Sequence, residues 1–166
     1  MYLKIFAVGG TIDKIYFDAK NTYQVGQPNV AAVLKDLRLG FDYTIESLLK
    51  KDSLDLTDDD RRKIHDAISN HNTDKIIVTH GTDTMVDTAK VLSDIKDKTI
   101  VLTGALEPAL FRTSDAVFNI GFAIAAVQIL SRGVYICMNG RVFNFDNVRK
   151  NTEKGIFEEL MPQPQE

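Results

Sequence analysis

The stretch Val78-Thr79-His80-Gly81-Thr82-Asp83-Thr84-Met85 packs hydroxyls, an imidazole and a carboxylate between the apolar run Lys75-Ile76-Ile77-Val78 and a resumed helical pattern at Met85, Val86, Ala89 and Leu92. Helix capping accounts for one such hydroxyl, not for several. A threonine oxygen attacks a carbonyl only with the help of a base. Similar residues follow other apolar runs: Gly9-Gly10-Thr11, Asp52-Ser53, Thr103-Gly104 and Asn139-Gly140. Thr11 is internal, so its own α-amine cannot activate it, and a Lys, Tyr or carboxylate must help. Tyr23 and Lys150 are available. Asp83, at a helix start, can fix an ammonium group, and the backbone N–H groups there can stabilise an anion.

The elements that position these groups read as follows. Residues 3–8 form a short β-rich run ended by Gly9-Gly10, a buried strand. Residues 13–28 show no steady period and carry turn formers, which predicts a long loop with room for a hairpin. Asn29 is placed as the cap of a helix carrying Val30, Val33, Leu34 and Leu37, with Gly40 as its stop. A second strand is predicted at 41–49, and a helix after Thr57, whose first turn holds Asp58, Asp59 and Asp60. Strands at 75–79, 99–104 and 133–139 alternate with helices at about 83–95 and 114–131. The segment from Glu158 onward has no period and two prolines, and is expected to fray.

Continuous apolar strands alternating with helices predict an α/β fold, a parallel sheet covered on both faces in three layers. Ligands of such sheets bind beyond the carboxyl ends of the strands, which is where the hydroxyls and glycines collect.

Composition narrows the classes. The chain has 166 residues, 44% hydrophobic and 26% charged, as for one ordinary globular domain. A net charge of −3 leaves no electrostatic footprint for nucleic acid or an anionic membrane. Cys137 is the only cysteine, so a disulfide framework is excluded. Motifs for a dinucleotide, a phosphate loop, a zinc protease or a serine elbow are absent, and His65, His71 and His80 are not at metal-ligand spacing. With no secretion-signal pattern and no membrane-length apolar run, a cytoplasmic protein is expected. The segment Ala116–Leu130 carries only Asn119 and Gln128 as strongly polar residues, which predicts a homodimer or higher homo-oligomer with this helix near the contact.

Val8-Gly9-Gly10-Thr11-Ile12, Tyr23 with Val25-Gly26, Asp52-Ser53, His80 to Met85, Leu102 to Ala105, Thr113 to Ile120 and Val148 to Thr152 together resemble the bacterial-type L-asparaginase family, in order and along almost the whole chain. The resemblance implies the family's N-terminal α/β domain over residues 1–155, with 156–166 as a tail and no second family domain. It implies hydrolysis of L-asparagine, or a related small amide, to L-aspartate and ammonia without a cofactor or metal. Thr11 then matches the nucleophile, Tyr23 its loop partner, Thr82 and Asp83 the second threonine and the ammonium-binding aspartate, and Lys150 the lysine that activates Thr82. Ser53 matches the serine that holds the substrate's carboxylate, and Gly10 and Gly81 line the pocket. Asp13, Leu54 and Glu107 depart from the family's usual residues. Singly, Thr82 and Asp83 read as caps, Ser53 as an ordinary loop serine, Tyr23 as a surface tyrosine, Lys150 as a solvated charge and His80 as a hydrogen-bonded core histidine. The alternatives to catalysis are an amino-acid-binding homologue of low activity and a subunit that needs a partner chain.

Overall fold

A computed structural model describes residues 1–17 and 22–161. Strand β1 (Tyr2–Gly9) lies second from one edge of a six-stranded sheet. It is flanked by β4 (Asp42–Lys51) and β5 (Lys75–Thr79), followed outward by β6 (Thr99–Thr103), β7 (Gly133–Met138) and β8 (Arg141–Asn144), in the order β4-β1-β5-β6-β7-β8. All neighbours are parallel except β7 and β8. The chain leaves β1 toward one edge and returns through β5 on the other side. The reversal falls between β1 and β5, the crevice where sheets of this winding take their ligands.

Successive strand residues point to opposite faces, so each strand feeds two cores. Phe6, Val8, Ile76, Val78, Ile100 and Leu102 pack under α2 (Asp58–Ser69) and α3 (Met85–Val91). Leu3, Ile5, Ile77 and Val101 pack under α1 (Asn29–Lys35) and α4 (Ala116–Ile129). The three layers and the mostly parallel sheet are those the strand patterns predict.

Thr57 caps α2 as expected, and the capping box is complete: its hydroxyl accepts from the Asp60 N–H while the Asp60 carboxylate accepts from the Thr57 N–H. Asn29 does not cap α1. It is the first helical residue after Pro28, and the oxygen at that helix start comes from Asp13, whose carboxylate accepts the Asn29 N–H at 2.7 Å. The helix stops at Lys35, which leaves Leu37 outside it and 53% exposed.

Residues 13–28 contain a hairpin, β2 (Lys14–Phe17) paired with β3 (Thr22–Val25); the intervening part of the expected loop lies outside the described residues. Three further strands escaped the sequence reading. Asn139 (φ 54°) and Gly140 (φ 73°) form a two-residue turn with both φ angles positive, so β8 folds straight back on β7. The Asn-Gly pair read as a strand-end polar group is thus a hairpin turn. Beyond it, β9 (Arg149–Asn151) pairs with β10 (Ile156–Glu158), and Phe157 is buried. The expected boundary at residue 155 therefore falls inside this hairpin, and residues 162–166 of the expected tail lie outside the described residues.

Candidate active site

Three chain turns meet at the β1–β5 crevice. After β1 the backbone passes through Gly10 at φ 89°, a conformation L side chains rarely adopt, into a 3-10 turn over Thr11–Asp13. A Cβ on Gly10 would stand 2.2 Å from the Gly81 Cα, and one on Gly81 would stand 2.6 Å from the Ser53 Oγ. Glycine at both positions lets the ends of β1 and β5 and the 3-10 turn Ser53–Asp55 touch through backbone. The Thr84 hydroxyl ties the last two together by donating to the Ser53 carbonyl at 2.7 Å.

Ser53 is buried, and its hydroxyl has no hydrogen-bond partner. An unpaired buried hydroxyl is costly, so such an atom marks a place where something polar is meant to arrive. Thr82 is buried too, directly after the Gly81 that packs on Ser53, and its side chain does not cap α3. Instead the Thr82 Oγ1 accepts from Lys150 Nζ at 2.8 Å, while the same ammonium donates to Asp83 Oδ1 at 2.6 Å. Lys150 reaches this point because β9 is held by its hairpin partner, with Lys150 opposite the buried Phe157. Asp83 keeps its carboxylate 40% exposed, open to a second cation. Among the described residues, the Gly81, Thr82 and Asp83 N–H groups meet no acceptor.

Below the crevice, His80 is fully buried, its Nδ1 2.7 Å from the Gly81 carbonyl and its Nε2 2.8 Å from the Thr88 hydroxyl. Burial drives its pKa down to about 4. This agrees with the reading of His80 as a hydrogen-bonded core residue. Thr103, one of the strand-end hydroxyls, is likewise structural: its Oγ1 donates to the Cys137 carbonyl at 2.9 Å.

Thr11 lies at the crevice but Tyr23 is not joined to it. Neither hydroxyl takes part in a hydrogen bond among the described residues. Tyr23 is 49% exposed on β3, its ring edge-on to Tyr16 and to Phe111. It lines a cleft of about 530 Å³ with Lys14, Lys51, Asp52 and Leu54. A second cleft of about 550 Å³ carries Asp83 and Lys150 at one side and Val86, Val148 and Leu160 at the other. Leu54 stands between the two, 71% exposed.

The family model for the N-terminal domain of asparaginase matches residues 2–157. The chain belongs to the asparaginase family. It is 30% identical over 165 residues to a probable periplasmic L-asparaginase of Haemophilus influenzae, covering 93% of this chain and 47% of that protein. Among solved structures, the thermostable L-asparaginase from Thermococcus kodakarensis superposes with a TM-score of 0.85 at 24% identity, covering 96% of this chain and 51% of that one. A probable cytoplasmic L-asparaginase from Campylobacter jejuni gives 0.79 at 26% identity, covering 95% and 51%. This asparaginase-family chain thus spans about half the length of the relatives it matches.

The structure brings together Gly10, Ser53, Gly81, Thr82, Asp83 and Lys150, with Thr11 on the adjoining turn. Sequence reasoning overlooked Thr84, though it is the last hydroxyl of the Thr-rich stretch. It also overlooked the ion pair of Lys14 with Asp52 at 2.8 Å, which ties the β2–β3 hairpin to the Ser53 turn. Burial works to raise the Asp52 carboxyl, but the bonds from Lys14 and the Leu54 N–H outweigh it and hold the pKa below the ordinary value. No spacing in the sequence signals that pair, because it joins two loops brought together only by the sheet.

Proposed function

We propose that this domain hydrolyses a small amide, L-asparagine in the first place, to L-aspartate and ammonia. The observation that carries the reading is the Lys150 ammonium bonded to both Thr82 Oγ1 and Asp83 Oδ1, beside a buried serine hydroxyl with no partner. That set suits an amino-acid amide. Asp83 holds the α-ammonium, Ser53 and the free N–H groups take the carboxylate or the oxyanion, and Lys150, by donating to Thr82 Oγ1, leaves that hydroxyl's own proton to be donated into the site. Thr11 Oγ attacks the side-chain carbonyl carbon and gives its proton to Tyr23. The ester forms as ammonia departs with that proton, and water then releases aspartate and restores the Thr11 hydroxyl. That family relatives are L-asparaginases supports the substrate class.

A domain that binds the amino acid without turning it over is the second reading. It is favoured by Tyr23, which stands against Phe111 and makes no bond to Thr11. Ammonia release by the purified protein, measured with asparagine and glutamine, separates the two. Calorimetric binding of aspartate with no ammonia from either amide establishes the second and overturns the first.

The protein works as a homodimer or higher homo-oligomer through α4, where Val117 and Phe118 are 59% and 61% exposed and Ile129 is 84% exposed. No helix among the described residues is long and apolar enough to cross a membrane. Cytoplasmic residence is part of this proposal; the Haemophilus influenzae relative is named as periplasmic and the Campylobacter jejuni one as cytoplasmic.

A further inference from the structure

The Gly81–Thr82 peptide is tightly confined in the site. Gly10 presses on it from β1 and Ser53 from the other side, and Thr82 is the residue that Lys150 grips. One side chain bonds it from beneath. A carbonyl only accepts, so the 2.7 Å contact between His80 Nδ1 and the Gly81 oxygen makes Nδ1 the protonated nitrogen. Nε2 is then the acceptor, and the Thr88 hydroxyl at 2.8 Å donates to it. The ring is fully buried and burial keeps it neutral, so the tautomer is fixed from both ends. A peptide carries its C=O and N–H on opposite sides, so a donor that fixes the Gly81 oxygen also fixes the direction of the Thr82 N–H.

We propose that His80 is a positioning residue: its Nδ1–H holds the Gly81 carbonyl and thereby aims the Thr82 N–H and side chain into the site. The proposal rests on the hydrolase reading for its effect on turnover, but the tautomer and the peptide orientation stand apart from that reading.

Two substitutions separate positioning from packing. In His80→Asn the amide nitrogen takes the place of Nδ1 and can still donate to Gly81. In His80→Gln the amide nitrogen takes the place of Nε2 and the Gly81 contact is lost, although glutamine fills more of the ring's volume. A packing role ranks the glutamine variant above the asparagine one; positioning ranks them the other way. With ammonia release as the assay, kcat of His80→Asn is expected within about threefold of the parent and that of His80→Gln about tenfold lower, the size of one lost hydrogen bond, with KM little changed. Equal or reversed order overturns the proposal. Two NMR readouts need no turnover. The parent imidazole must carry its proton on Nδ1, and an Nε2–H tautomer overturns the proposal even if neither variant folds. The Thr82 amide resonance must move in His80→Gln and stay in His80→Asn; the opposite pattern overturns it as well. A parent that releases no ammonia while passing both NMR tests refutes the hydrolase reading and leaves the positioning role standing.

Discussion

Asp13 and His80 are buried groups whose charges the fold disfavours in opposite senses. Burial raises the Asp13 carboxyl to about 6 against 3.8, partly offset by the Asn29 N–H, and burial lowers His80 to about 4 against 6.5. A displacement of about two pKa units corresponds to about 3 kcal/mol. For Asp13 the native state binds the extra proton, so its contribution to stability falls as pH rises from 4 to 6. For His80 the unfolded state binds the extra proton, so its contribution rises with pH from 4 to 6.5. The two nearly cancel, and urea unfolding should give a flat stability across that window. Asp13→Asn should turn the profile upward with pH and His80→Asn should turn it downward; a sloping parent profile that neither variant alters contradicts the burial argument. At the site itself, Lys150→Met should lower kcat about 100-fold or more, since Thr82 loses its proton relay, while aspartate still binds. Thr11→Val should abolish ammonia release with the unfolding midpoint kept, because the swap nearly preserves shape; release at the parent's rate removes Thr11 from the chemistry.

Elements differ in how locally they are determined. The α2 start is written within a few residues: Thr57 and Asp60 satisfy each other's backbone, and Lys51 adds an ion pair at 2.7 Å that, with the Thr57 N–H, holds the Asp60 carboxyl down at about 2. Thr57→Ala should therefore cost about 1 kcal/mol in urea unfolding, and no loss would show that water caps the helix as well. The α1 start was misread because its acceptor, Asp13, lies 16 residues away in sequence. The β2–β3 hairpin is a lid candidate, held at its base by Asp13 through the Gly26 N–H and at its side by Tyr23 against Phe111. Hydrogen exchange in Lys14–Phe17 and Thr22–Val25 should slow when aspartate saturates the site; equal exchange with and without it counts against a lid.

At the scale of the whole molecule α4 presents apolar side chains to the surface. Phe118 and Phe122 stack on its exposed side, next to Gly121, beside which a Cβ would meet nothing. A twofold contact there would pair this stripe with its copy. Light scattering at micromolar concentration should give a mass above the 18.6 kDa of one chain, and Phe118→Lys should reduce it. A monomer mass for the parent overturns the association, and a mass that Phe118→Lys leaves unchanged moves the contact elsewhere.

The sequence by itself determined the layers and the strand ends. Period and apolar runs are local properties, and a buried parallel strand must be apolar on both faces whatever lies beside it. It also carried the site's residue types, since glycines at 10 and 81 and hydroxyls at 11, 53 and 82 follow the strands directly. Strand order was left to the tertiary structure: nothing local says that β5 crosses to the far side of β1, and that crossing alone makes the crevice. The same holds for Lys150, which acquires its meaning from a hairpin the periodicity did not reveal, and for Thr103 and Asn139, which looked like site groups and are consumed by a carbonyl and a turn. A side chain's type is fixed by the gene, but which partner satisfies it depends on residues far along the chain that only packing brings within hydrogen-bond distance.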